Sequence, residues 1–369
     1  MGRAGFDRAE VRWHVVLSRS VSSQGSPVVD VHAHVAVPEL DSLIVGAPGL
    51  SEFRDLENRR YGLASWSETT NVVRERRAQL VSPDARIQYM DQQGVDTQVV
   101  SINPTQFHYW TADRVLASDI SAATNEGVRD HCATNPQRLV GLGAVPLQHP
   151  ELAVEWLEHA MSIGLRGIEI STHAPGETLI ELSDPRLEPL WFRAEELGAV
   201  VLVHPMGCTL DERLDQWYLS NTVGQPVETA VALAHIIFSG VLDRHPALKL
   251  IFAHGGGYLP AYFARSDHAW RNRIDAHSCE ELPSSYLRRV FVDTVVFDPR
   301  VLRSIVDIVG AGNVLLGTDS PYDMGDPHPL DTLSAIGAPQ ADVDLIAGGN
   351  AQLLGLLPDR EHAAVGKTE

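Results

Sequence analysis

Cysteine is scarce in this chain: Cys132, Cys208 and Cys279 are the only three among 369 residues, widely separated and without a Cys-x-x-Cys pair. An odd, sparse count excludes a disulfide framework and fits a reducing cytoplasm. Positive charge is also in deficit, with 29 Lys and Arg against 48 Asp and Glu and a formal net charge of −19. Such a surface repels nucleic acid and anionic membrane, so any arginine aimed at an anionic ligand must act locally. No apolar run approaches the length of a membrane span. The apolar stretch at 13–17 is short, interrupted by His14 and preceded by acidic residues, which argues against a secretory signal. Internal repeats, low-complexity segments and a Gly-rich dinucleotide signature are all missing, and with the last goes the usual argument for a nucleotide cofactor.

What is present is enough apolar material for a full core: 44% of residues are hydrophobic and 21% charged. Residues 1–26 read as a flexible extension and 358–369 as a polar tail, leaving 27–357 as one domain. That domain opens with SPVVDVHAHV, a short apolar strand between Pro27 and Pro38. Strict alternation along it places Asp30, His32 and His34 on one face. Residues 36–83 follow as an irregular insertion rich in charge and turn residues, of the kind that forms a lid. Strands are then expected at 96–102, 138–147, 166–171, 199–205, 248–257, 289–294 and 313–321, each followed by helical material. Several are near-continuous apolar runs, as expected for parallel strands buried on both faces. Eight strand–helix units predict an α/β fold, a closed (β/α)8 TIM barrel.

In such barrels the C-terminal ends of the strands carry the chemistry. One His-x-His means little in a chain with 16 histidines. Here, however, the first strand ends in His32 and His34, the fifth in His204, the sixth in His254 and the eighth in Asp319. Three histidines (His32, His34 and His204) with the Asp319 carboxylate would hold one divalent metal and leave a position for water. His254 is then a spare imidazole suited to moving a proton. The fourth strand, RGIEIS, lacks a lysine that could be carbamylated to bridge two metals, which favours one ion.

The segments MDQQGVDTQVVS, FHYW, NPQRLVGLGAVPLQHPELAVE, VLVHPM, VGQPVET, FSGVLDRHPALKL, FAHGGGYLP and LLGTDSPYDMG together resemble the amidohydrolase superfamily, and within it the 2-amino-3-carboxymuconate-6-semialdehyde decarboxylase-like group. The resemblance spans 27–357. It implies a metal-dependent barrel in which His32, His34, His204 and Asp319 ligate zinc (manganese or cobalt as alternatives), His254 is the acid–base residue, and Asp319 takes part in catalysis. It also implies two arginines for substrate carboxylate: Arg74, within VVRE, and Arg265, contributed to the neighbouring subunit of a homodimer. Met206 stands where the group has Trp, Tyr322 where it has Phe, and Asn221 replaces an aromatic. These positions border the substrate and make its identity the open question. The expected activity is non-oxidative decarboxylation of a small carboxylated muconate semialdehyde or related acid from aromatic catabolism. Hydrolysis or hydration at the same metal is the alternative, and a metal-binding scaffold without catalysis is a third.

Overall fold

Each barrel strand is short, apolar and bounded by a turn, and the chain folds accordingly. The computed structural model describes residues 27–176 and 179–358; the expected extension at 1–26 and the tail from 359 onward lie outside them. In chain order the barrel strands are β1 (Val29–Val35), β2 (Thr97–Ile102), β3 (Leu139–Gly141 and Gly143–Ala144), β4 (Gly167–Ile170), β5 (Val200–Val203), β6 (Lys249–Phe252), β7 (Phe291–Asp293) and β8 (Val314–Leu315). Every neighbouring pair from β1 to β8 is parallel. The ring closes where β8 and the residues after it meet β1: Val31 N–H donates to Leu316 O (2.9 Å), Asp319 N–H to His32 O (2.8 Å) and His34 N–H to Ser320 O (2.8 Å). The expected eight-stranded barrel is thus present, and closure itself draws the end of β8 against the two histidines of β1.

Two apolar layers hold it. Val29, Val31, Val99, Leu202, Ile251 and Leu315 form one cluster, capped by Leu354 and Leu356. The opposite strand faces, including Val100, Ile168, Val201, Leu250 and Val292, join the helices in a larger core. The amphipathic helix Pro299–Val309 shows the pattern: Leu302, Ile305, Val306 and Val309 are buried, at the spacing of one helical face.

Two expectations need correction. Asp30 does not share the face of the histidines. The β1–β2 register slips between Asp30 and Ala33, a bulge that resets the alternation. Asp30 turns instead to Gln98 Nε2 (2.7 Å) and the Thr318 hydroxyl (2.6 Å). The insertion at 36–83 is helical rather than irregular, with helices Glu39–Leu43, Leu50–Tyr61, Leu63–Glu75 and Arg77–Val81. Its charges are largely Glu and Arg, good helix formers, and Leu50, Phe53 and Leu56 recur at helical spacing. Gly62 (φ 73°) separates the two longer helices, and a Cβ there would lie 1.8 Å from the Asp215 carbonyl.

Candidate active site

The strands deliver four side chains to one point: ligand atoms of His32, His34, His204 and Asp319 all lie within 4.8 Å of one another, and all four residues are buried. The Nε2 atoms of His32 and His34 are 3.2 Å apart, and Asp319 Oδ1 is 3.6 Å from the first and 3.2 Å from the second. The other nitrogen of each β1 histidine faces away from this point. His32 Nδ1 meets Asp293 Oδ2 at 2.7 Å, and His34 Nδ1 meets the Ile102 carbonyl at 3.4 Å. Those contacts fix the ring orientations and leave both Nε2 atoms converging, as a second layer of acceptors does for metal-bound imidazoles. His204 is different: neither ring nitrogen has a hydrogen-bond partner.

The protonation pattern suits a cation. Burial, reinforced by the neighbouring imidazoles, holds His204 well below the usual histidine range, and burial lowers His34 as well. For Asp319 the cost of burial is outweighed by the His254 hydrogen bond and the histidine charges, so its carboxyl stays ionised. Burial would lower His32 too, but Asp293, Asp319 and Glu169 push it up to about 9. The centre favours one positive charge, whether a proton on His32 or a metal ion. A neutral-imidazole and carboxylate donor set, with an orphaned buried histidine among them, fits a divalent ion.

His254 stands beside this group, its Nε2 3.5 Å from Asp319 Oδ2 and its Nδ1 without a partner. Both His254 (φ 55°) and Asp319 (φ 57°) adopt left-handed backbone, a strained state for residues other than glycine that concentrates at functional sites. Asp293 stabilises the first of these turns, accepting from the backbone N–H of His254 and of Gly255 at 3.0 Å each. One carboxylate therefore orients His32 and His254 together. The glycines after His254 serve packing: a Cβ on Gly257 would lie 2.2 Å from the Pro226 carbonyl, in the helix Gln225–Phe238.

Behind β1 lies a buried cation. Arg86, on the helix Pro83–Gln93, donates to Gln98 Oε1 (2.7 Å), His131 Nε2 (3.1 Å), Gln79 O (2.9 Å) and the His34 carbonyl. Gln98 passes the network to Asp30, and Asp30 to Thr318 on the path to Asp319. Reading the sequence missed Arg86, Asp293 and Glu169. Asp293 ends β7, so the strand-end rule used for the histidines would have found it. Glu169, a charge inside the apolar run GIEI, is fully buried with neither carboxylate oxygen hydrogen-bonded, and lies 3.7 Å from His34 Nδ1. Arg86 resembles any surface arginine in sequence and carries no such signal.

A cavity of about 370 Å³ opens on the β4–β5 side, where Ser171 and Met206 follow those strands. Phe107, Tyr109 and Trp110 form an aromatic wall, and Phe53, Leu56 and Arg60 cover it from the helix Leu50–Tyr61. Phe53 stacks on Trp110 with ring centroids 6.0 Å apart. Of the expected substrate contacts, Met206 lines this cavity, and Tyr322 is half-buried, its hydroxyl enclosed and its ring 5.6 Å from that of His34. Arg74 is not brought to the centre; it is exposed and donates to Asn71 Oδ1 at 2.7 Å. Arg265 is exposed on the helix Leu259–Asn272.

Residues 29–354 match the sequence profile of the amidohydrolase family. The chain is 32% identical over 350 residues to the 2-amino-3-carboxymuconate-6-semialdehyde decarboxylase of Dictyostelium discoideum, covering 90% of this chain and 92% of that one. Among solved structures it resembles a 2,6-dihydroxybenzoate decarboxylase from Rhizobium, with TM-score 0.73 and 26% identity over 89% of this chain and 98% of the other. It also shares its fold with a dihydroxybenzoic acid decarboxylase from Polaromonas sp. JS666 holding manganese and 2-nitroresorcinol: TM-score 0.74, 24% identity, 92% and 100% coverage.

Proposed function

The chain belongs to the amidohydrolase family, and from that premise we propose which acid it decarboxylates and which residues do the work. It is a metal-dependent, non-oxidative decarboxylase. The observation that carries this reading is the convergence of His32, His34, His204 and Asp319 within 4.8 Å, with His254 beside them. The substrate is a small acid with the planar, unsaturated skeleton of a ring or a ring-cleavage product: a carboxymuconate semialdehyde, or an aromatic acid of the same size. An aromatic-walled cavity of about 370 Å³ suits that shape.

His32, His34, His204 and Asp319 would hold a divalent ion, zinc in our reading, whose positive charge would orient the substrate and stabilise negative charge as carbon dioxide departs. His254 delivers a proton from Nε2 to the carbon that bears the carboxylate. The new C–H bond takes a π pair of the unsaturated skeleton; the C–C bond to the carboxyl group then breaks, carbon dioxide leaves, and the electron pair left on carbon restores the double bond. Asp293 keeps His32 and the His254 turn in place throughout. The apolar wall excludes water, so the electron pair is not released as a free carbanion in solvent.

In this reading Arg74, exposed and bonded to Asn71 in the free chain, turns inward to hold the carboxylate of a bound substrate, and Arg265 does so from a second copy of the chain. Tyr258, Tyr262 and Arg265 fall at i, i+4 and i+7, and Tyr258 and Tyr262 are 46% and 68% exposed. Paired aromatics beside a cation on one open helix face suit a subunit contact. Mixing Arg74→Ala with Arg265→Ala subunits then regenerates one competent site per heterodimer; no recovery after verified subunit exchange counts against the arrangement.

The reading is tested by metal content together with carbon dioxide release from 2-amino-3-carboxymuconate-6-semialdehyde, 2,6-dihydroxybenzoate and a range of hydroxybenzoates. One ion per chain and carbon dioxide from a member of that set is the expected result. An ion with ring opening or water addition instead would reassign the site to hydrolysis or hydration. Failure to bind metal after reconstitution would remove the basis of the reading.

A further inference from the structure

An imidazole separate from the four-residue cluster and from His254 lines the cavity. His173 lies in a short strand, His173–Ala174, paired antiparallel with Ile180–Glu181 just after β4, and its side chain lines the cavity. Its Nδ1 is 3.4 Å from Glu228 Oε2 and 3.1 Å from the Thr172 hydroxyl. Glu228 is itself fixed: it is 3% exposed, and its Oε1 accepts from the Thr209 N–H (2.5 Å) and hydroxyl (2.7 Å). The hydrogen bond of Nδ1 is to the Thr172 hydroxyl, which can accept as well as donate, and the Glu228 carboxylate beside it favours the tautomer with the proton on Nδ1. Burial, with Arg60 adding to it, outweighs the Glu228 charge and holds the imidazole below its usual range, hence neutral. Nε2 is then a lone-pair acceptor left for whatever occupies the cavity. None of the steps above uses this group.

We propose that His173, oriented by Glu228, is a specificity-determining residue that accepts a hydrogen bond from a hydroxyl or amino substituent of the substrate. The inference rests on the decarboxylase reading only for the statement that the occupant is a carboxylate. The occupant is flat, because it lies among Phe53, Phe107, Tyr109 and Trp110. It carries a donor for that nitrogen, because an imidazole protonated at Nδ1 offers only an acceptor at Nε2. A site built to pair a polar group discriminates strongly against the analogue lacking it, since the buried acceptor is then left unpaired.

The test is calorimetric binding to the metal-loaded full chain of benzoate and of its monohydroxy and monoamino isomers, with wild type beside His173→Phe. Comparing the two proteins cancels any preference that belongs to the metal. At least one donor-bearing isomer should bind wild type about five- to tenfold more tightly than benzoate. That advantage, read as the ratio to benzoate in the same protein, should disappear in His173→Phe. An advantage that survives His173→Phe overturns the proposal, as does the lack of any isomer that outbinds benzoate. If His173→Phe does not fold, His173→Gln should retain the advantage and Glu228→Gln should blunt it; an unchanged advantage in Glu228→Gln is equally fatal. Carbon dioxide release is scored separately. Donor preference without carbon dioxide defeats the decarboxylase reading and leaves this one standing, and the converse result does the reverse.

Discussion

The two sides of the barrel mouth are built differently. On the β1–β7–β8 side the polar groups are satisfied by the protein itself: His32 by Asp293, Asp30 by Gln98 and Thr318, and the His34 carbonyl by Arg86. On the β4–β5 side they are not. His204 has two unpartnered nitrogens, and the Ser171 hydroxyl and both Glu169 oxygens are also buried without hydrogen bonds; Tyr322 OH and His254 Nδ1, at the border, join them. An unmade buried hydrogen bond costs about 1–3 kcal/mol, so a chain retains such groups where a ligand completes them. In the proposed reading the braced side is scaffold, and the open side is where chemistry and recognition take place. Substitutions should therefore separate, with stability on the braced side and turnover and ligand preference on the open side, while metal affinity draws on both because His204 lies on the open side.

The largest effect should come from the border between them. His254→Ala should lower kcat by about 10²–10⁴-fold, the range of a positioned acid–base group, with metal content and unfolding midpoint unchanged. Loss of metal in that variant would make His254 a ligand and move it to the braced side. Next is Arg86→Met, which strands Gln98, His131 and two backbone carbonyls inside the protein. Losing one partner of such a buried charged network costs about 3–5 kcal/mol, readable as a lower urea midpoint. The same network has an acid signature. Burial and the Arg86 charge lower His131 from 6.5 to about 3. Its folded value lies below its unfolded one, so its contribution is complete above pH 6.5 and is lost as pH falls toward 3.

Asp293→Asn should be milder. It keeps the shape of the bracket but weakens the hold on His32, and such changes lower metal affinity by about 10–100-fold, measured by chelator competition. Because Asp293 also ties the His254 turn, kcat of the fully loaded variant should fall too. A variant with reduced affinity but normal kcat would confine Asp293 to the metal.

How much of this was legible in the sequence follows the same division. Parallel strands buried on both faces must be apolar runs, so the barrel was readable, and His32, His34, His204, His254 and Asp319 stood out as polar residues ending such runs. Asp293 obeys that rule, but its role depends on meeting His32 across 261 positions, which no local pattern records. Asp30 was assigned to the wrong face because a bulge does not appear in the alternation it interrupts. The helices at 39–81 were hidden by their charge, and Arg86 by the fact that burial of an arginine is decided by its partners rather than its neighbours in sequence. Arg74 shows the limit from the other direction: a motif supplied its role, while in the folded chain it is exposed and bonded to Asn71.

The smallest predicted effect is the sharpest probe of the contrast. Tyr322 presses its ring against His34 at 5.6 Å, and its hydroxyl is buried without a partner. Tyr322→Phe deletes that hydroxyl and keeps the ring. If the hydroxyl serves a ligand, the free protein should become more stable by about 1 kcal/mol, since an unsatisfied group has been removed. Metal affinity should hold, because the contact with the imidazole is retained. The KM of the acid that is turned over should rise about threefold to tenfold, the equivalent of one hydrogen bond. Opposite signs for stability and affinity are what a ligand-directed group must give. A destabilised variant with unchanged KM would mean that the hydroxyl is already satisfied within the chain, and the boundary between scaffold and site would then run on the far side of Tyr322.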